Sequence, residues 1–175
     1  STKQCFVDNN NAEAVSSYGY IKDYSGTSTI SFATGGSNWE NTNATGDTLV
    51  AYIWAEIEGA SKFGIYTGNG QADGPYVKLG FKPAILIIKS KSNAESWNVF
   101  DSTRDPDNYV HHYLGLNLST EENSTTTARR LDFYADGFKL RGDNGTINTT
   151  NYTYVYAAWA ETPQHNLYGG IGNAR

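Results

Sequence analysis

Short runs of β-branched and aromatic residues, each closed by a cluster of Gly, Asn or Asp, follow one another along the whole chain. No helix-length window keeps a helical apolar period. This punctuation, more than any other feature, restricts the chain to β structure. Strands are expected over 4–7, 18–23, 29–33, 48–56, 62–66, 76–79, 84–90, 97–101, 109–116, 130–134, 138–141 and 152–161. Between them lie Gly35-Gly36, Thr67-Gly68-Asn69-Gly70, Asp73-Gly74-Pro75, Asp136-Gly137 and Asp143-Asn144-Gly145, which supply positive φ or Asx turns. The 13 Tyr and 4 Trp suit pleated strands, and an all-helical fold is excluded. A chain of 175 residues has room for one ordinary domain or two small ones. The expected fold is all-β: an antiparallel β-sandwich, jelly-roll or concanavalin-like, with an internal partial repeat.

Charge narrows the partners. With 13 Lys plus Arg against 18 Asp plus Glu, the net charge is -5, the wrong sign for neutralising phosphates, so nucleic acid is not an expected partner. The longest aliphatic run, Ala84 to Ile88, falls far short of the roughly 20 residues that a membrane-spanning helix needs. A soluble protein without membrane insertion or a visible signal peptide is expected. Cys5 has no second cysteine to pair with and reads as a small hydrophobe in an N-terminal strand. No Cys/His spacing suggests a structural zinc site.

The chain partly repeats itself. Residues 43–56 align without gaps on 148–161, sharing the Asn, two Thr, the Val and the closing Trp-Ala-Glu. The organisation expected is an N-terminal β segment over 1–62, a partial copy of the unit, followed by a complete sandwich unit over 63–175. Val50, Tyr52 and Trp54 would share one strand face, and Val155, Ala157 and Trp159 the matching one. Trp54 and Trp159 are therefore expected as structural core anchors rather than a sugar-stacking platform.

Further landmarks follow in order: Tyr66-Thr67-Gly68-Asn69-Gly70, Asp73-Gly74-Pro75, Gly80-Phe81-Lys82-Pro83 with Ile87-Ile88-Lys89, and Trp97-Asn98-Val99-Phe100-Asp101-Ser102-Thr103-Arg104. Then come Leu116-Asn117-Leu118-Ser119, Asp136-Gly137-Phe138-Lys139-Leu140, the strand 154–161 and Asn173-Ala174-Arg175. In these residues the chain resembles the repeat β-sandwich domain found near the C-termini of tail-fibre-like and other virion proteins of tailed, especially marine, bacteriophages. The resemblance is detailed over 63–175 and covers only the closing hairpin in 1–62. It implies a virion location and a non-enzymatic tail-fibre or appendage domain serving host-surface attachment, with a host glycan as ligand. Other virion protein copies are implied as partners in a homo-oligomer. A purely structural decoration or filament subunit is the alternative, and a carbohydrate-active enzyme a weaker one. The initial Ser fits either removal of an initiator Met or a fragment of a longer fibre protein, and the absence of any Met favours the fragment.

Two loops carry the candidate ligand-binding residues. One offers Tyr66, Asn69, Asp73 and Tyr76, mixing rings with amide and carboxylate groups as sugar sites do, although a tight turn capped by Asn69 accounts for the same residues. The other offers Asp107, Asn108 and His111. There Asp101, Asp105 and Asp107 also form a candidate Ca²⁺ set, without EF-hand spacing, and a strand end running into an Asp-Pro turn is the plainer alternative. His111 and His112 are expected on opposite strand faces, which disfavours a shared zinc site. Glu56 and Glu58 would share a strand face at a separation suited to glycosidase pairs, but no third acid follows, and no Ser/His/Asp or Cys/His spacing is present. No catalytic residue is assigned. Asn-X-Ser/Thr triplets at Asn43, Asn117, Asn123, Asn144, Asn148 and Asn151 read as turn residues in a phage protein and as glycan sites in a secreted eukaryotic one.

Overall fold

The computed structural model describes residues 3–4, 10–15, 21–24, 30–32, 48, 50–124 and 128–162. Two compact units share the chain, one of Ser1–Cys5 and Glu13–Trp54, the other of Phe6–Ala12 and Ala55–Arg175. The smaller unit holds two short antiparallel ladders: β1 (Lys3–Gln4) pairs with β2 (Ala14–Val15), and β3 (Ile21–Tyr24) with β4 (Ile30–Phe32).

The larger unit is an antiparallel β-sandwich. Its strands are β5 (Ser61–Thr67), β6 (Tyr76–Lys78), β7 (Pro83–Ser90), β8 (Asn98–Asp101), β9 (His112–Gly115), β10 (Asn123–Ser124), β11 (Leu131–Tyr134), β12 (Gly137–Leu140) and β13 (Thr153–Ala160). A six-stranded sheet runs β10-β9-β8-β7-β13-β5, and a three-stranded sheet runs β11-β12-β6. Strand alternation fills the space between them. Leu86 and Ile88 of β7, Phe100 of β8, Tyr113 of β9 and Tyr154, Tyr156 and Ala158 of β13 join Leu131, Phe133, Phe138 and Leu140 of the smaller sheet in one buried cluster. Phe138 lies edge-on to both Tyr66 and Tyr156, with ring centroids 6.0 and 5.6 Å away.

Three sequence expectations are corrected here. The core face of β13 is Tyr154, Tyr156 and Ala158, so Trp159 lies on the opposite face, half-buried against Phe63 at 5.6 Å. Both faces of this strand are apolar, and alternation alone does not choose between them. Trp54 is 60% exposed, in non-strand chain, stacked on Tyr52 at 6.3 Å. The described part of 48–56 forms no ladder and is not a strand, and the rest of the first repeat copy lies outside the described residues. Glu56 and Glu58 share no strand face either, because Glu56 is in non-strand chain and Glu58 in the turn between the bridged residues Ile57 and Ser61.

The core tyrosines carry a pH signature. Burial pushes the Tyr66 phenol well above its ordinary range, and burial likewise raises Tyr154 and Tyr156. The folded state keeps these protons above the pH of about 10 at which the unfolded chain releases them. Stability is therefore whole below about pH 10 and falls as pH rises through and beyond it. In an alkaline titration, phenolate absorbance from these rings is expected to rise together with the loss of β-sheet circular dichroism. Ionisation of all tyrosines before unfolding would contradict the buried positions.

Candidate functional site

Two polar surfaces of the larger unit collect the sequence-predicted ligand residues. On the outer face of the three-stranded sheet, the register sets Lys139 between Asp132 and Tyr76, and Gly137 between Tyr134 and Lys78. Tyr76 and Tyr134 meet edge to face with centroids 6.0 Å apart, and they are 44% and 37% exposed. Gly137 makes this approach possible, since a Cβ there would lie 2.2 Å from the Val77 carbonyl and 2.9 Å from the Tyr76 hydroxyl.

Charged groups hold both phenols. The Tyr76 hydroxyl donates to Asp136, while the Tyr134 hydroxyl accepts from Arg141 Nη2 at 2.9 Å and donates to Asp132 at 3.2 Å. Arg141 Nε donates to Asp132 at 2.6 Å. Lys139 pairs with Asp73 at 2.6 Å, and Arg141 approaches the same carboxylate at 3.7 Å. The field follows these contacts: desolvation and the Asp136 carboxylate push Tyr76 up to about 12, the Lys139 hydrogen bond lowers Asp73, and the hydrogen bond to Asp132 raises Arg141. The result is a pair of oriented rings ringed by anchored donors and acceptors.

The other predicted residues of this group divide. Tyr66 is not a surface ligand residue: it is buried, stacked on Tyr154 at 5.1 Å, and its hydroxyl donates to the Ile147 carbonyl at 2.7 Å. Asn69 shapes its own turn, its Oδ1 accepting from the Gln71 amide at 3.0 Å and its Nδ2 donating to the Asp73 carbonyl at 2.9 Å. The turn is latched by the fully buried Asn148. Its Oδ1 accepts the Asn69 amide at 2.9 Å, and its Nδ2 donates to the Gln71 and Gly142 carbonyls, both at 2.9 Å. A glycan on Asn148 is thus sterically excluded from the folded state.

The second surface is the loop between β8 and β9. Asp101 caps it, Oδ1 accepting the Thr103 and Arg104 amides at 3.0 and 2.8 Å and Oδ2 pairing with Arg104 at 2.9 Å. Asp105 is 7% exposed, and its Oδ2 accepts the backbone N–H groups of both His111 and His112 at 2.7 Å. Its Oδ1 then faces both rings, 2.6 Å from His112 Nδ1 and 3.5 Å from His111 Nδ1. Burial pushes this carboxyl up, but the His112 ring and the two amides outweigh burial and hold it below its ordinary range.

The two imidazoles are therefore not on opposite faces. β9 begins only at His112, so strand alternation does not govern His111, and the ring centroids lie 4.2 Å apart. Asp101 is turned to Arg104 rather than toward Asp105, and the metal-capable group found among the described residues is Asp105, His111 and His112. Asp107, Asn108 and His111 line an open cleft of about 360 Å³ together with Asp105, Pro106 and Tyr109. Asn108 is committed to structure, its side-chain amide making a two-way hydrogen bond with the backbone of Phe133 at 2.9 and 3.1 Å.

Sequence reasoning missed Tyr134, Asp132, Lys139, Arg141 and the role of Asn148. The signal for Tyr134 was the two-residue Ala135-Asp136 connection, which fixes the hairpin register and puts Tyr134 opposite Gly137. No curated protein and no solved structure matches the chain. The family model described as Domain of unknown function (DUF7483) matches residues 1–163, nearly the whole chain, and the protein belongs to that family.

Proposed function

We propose that this chain is a non-enzymatic glycan-recognition domain of a tailed-phage virion appendage, displayed in multiple copies and attaching the particle to the host surface. The observation that carries the recognition step is the exposed Tyr76–Tyr134 pair, its hydroxyls anchored by Asp136, Asp132 and Arg141 and its rim supplied by Asp73 and Lys139. Aromatic faces bind the apolar face of a pyranose while fixed carboxylates and cations meet its hydroxyls. The virion setting rests on the resemblance in residues 63–175. The non-catalytic reading rests on the same resemblance, which carries over no catalytic residue.

Binding of the purified chain to a glycan array and to whole host-range panels of bacteria tests this. Tyr76→Ala and Tyr134→Ala are each expected to weaken binding about tenfold or more, the equivalent of roughly 1.4 kcal/mol. Binding that is absent, or indifferent to both substitutions, would remove the recognition reading. Turnover of a host polysaccharide would replace it with an enzyme.

A structural decoration or filament subunit is the second reading. Val50, Tyr52, Ile53 and Trp54 in the smaller unit are all exposed, an apolar run that suits contact with another copy. Sedimentation decides it: a concentration-dependent oligomer that is lost in Tyr52→Ser/Trp54→Ser supports this reading, and a stable monomer at micromolar concentration refutes it.

A further inference from the structure

We propose that Asp105, His111 and His112 form a binding site for a divalent transition-metal ion of the zinc type, with open coordination positions toward the adjoining cleft. One nearly buried carboxylate and two imidazoles offer one ligand atom each, all within 4.8 Å of one another. Ligands of one tetrahedral zinc lie about 3.3 Å apart, given metal–ligand distances of about 2.0 to 2.2 Å. Donors that already lie within 4.8 Å need to close by no more than about 1.5 Å to reach that spacing. Both His side chains are about one-third exposed and have room to make the adjustment.

The carboxylate is prepared for the role by the backbone. The two amide hydrogens on Oδ2 fix its plane, leaving Oδ1 aimed between the rings. Such an outer hydrogen-bond shell orients a ligand before the ion arrives. In the metal-free state the same Oδ1 accepts the His112 Nδ1 hydrogen at 2.6 Å, and the Tyr109 carbonyl accepts that of His111 Nδ1 at 3.0 Å, so both contacts give way when an ion binds. Each neutral imidazole has a second nitrogen for its hydrogen, so a ring that turns its Nδ1 lone pair to the ion keeps its proton on Nε2.

Ligand type selects the ion. Two imidazoles and one carboxylate suit zinc and its neighbours, whereas Ca²⁺ takes 6 to 8 oxygen donors, and this group supplies a single carboxylate. Three protein ligands leave at least one position for water or an exogenous donor. Asp105 and His111 also line the cleft with Asp107 and Tyr109, so that position faces a space able to admit a hydroxyl or carboxylate oxygen. This site is separate in its residues from the Tyr76–Tyr134 surface and does not depend on the glycan reading.

The test is titration of the tag-free, chelator-treated full chain with Zn²⁺ by calorimetry, and with Co²⁺ by visible absorbance. One Zn²⁺ per chain is expected, with a Co²⁺ d–d spectrum at the same stoichiometry and no displacement by excess Ca²⁺. His111→Ala and His112→Ala should each weaken Zn²⁺ binding by about tenfold or more, and His165→Ala should leave it unchanged. Asp105→Asn keeps an oxygen for the backbone amides but turns an NH₂ to the rings, and it should weaken binding similarly while thermal unfolding shows the variant folded. The proposal is overturned if the folded wild-type chain takes up no Zn²⁺. It is equally overturned if uptake survives the His111→Ala/His112→Ala double substitution, is lost in His165→Ala, or yields fully to Ca²⁺.

Discussion

Asn148→Asp is expected to destabilise the larger unit by about 3 to 5 kcal/mol, the cost of leaving a charge buried without a partner. The substitution changes one NH₂ into one oxygen. In the wild-type chain that NH₂ donates to the Gln71 and Gly142 carbonyls, both at 2.9 Å, and approaches Asn69 Oδ1 at 3.2 Å, in a position fully closed to water. A carboxylate oxygen there faces other acceptors, with no donor and no solvent. Asn148→Ala removes the clash and the latch together, and a smaller loss of about 1 to 3 kcal/mol is expected from the groups left unpaired. Thermal unfolding measures both, with Asn148→Asp lowering the midpoint by about 10 °C or more.

The pH dependence separates charge from shape. In the folded variant the new carboxyl prefers its proton, so its folded pKa stands above the unfolded value of about 3.9. The deficit relative to wild type is then small below about pH 4 and grows as pH rises past it. A deficit independent of pH would mean that steric misfit, not charge, is responsible. Because Asn148 holds the Asn69 turn that leads to Asp73 and Tyr76, this latch also links the core to the proposed recognition surface.

Asn148 was visible in the sequence as one of six Asn-X-Ser/Thr triplets and as the Asn that opens the repeated stretch, neither of which discloses its hydrogen-bonding role. Strands such as β7 and β11 to β12 were legible because each is a β-branched or aromatic run bounded by Gly, Asn or Asp, and such runs have few other folds open to them. Long-range hydrogen bonds carry no such local mark: the Asn148 latch reaches across to residues near 70, and the Asp105 carboxylate reaches both histidine amides. The histidine pair was misjudged because alternation was applied to a residue one position before its strand begins. Asp73 and Tyr76 were legible as surface ligand candidates, but their partners Tyr134, Lys139 and Arg141 required the hairpin register.

A second large effect is expected from Tyr154→Ala, about 3 to 5 kcal/mol, against about 1 to 2 kcal/mol for Trp159→Ala on the same strand. The order is the reverse of what side-chain size alone suggests. Tyr154 is fully buried between the sheets, stacked on Tyr66, and its hydroxyl accepts the Thr149 amide and donates to the Gly145 carbonyl, both at 2.8 Å. Its truncation opens a cavity and strands two polar groups. Trp159 lies on the other face, where it meets the edge of Phe63 and keeps part of its surface in solvent, so much of what it covers is already wet. Tyr154→Phe isolates the polar share and should cost about 1 to 3 kcal/mol. Denaturant midpoints at unchanged slope measure all three variants. If Trp159→Ala costs as much as Tyr154→Ala, the outer face of β13 is also a packed interface, covered by a layer as tight as the core, and the apolar residues Ile85, Phe63 and Ile87 beside it become the next positions to truncate.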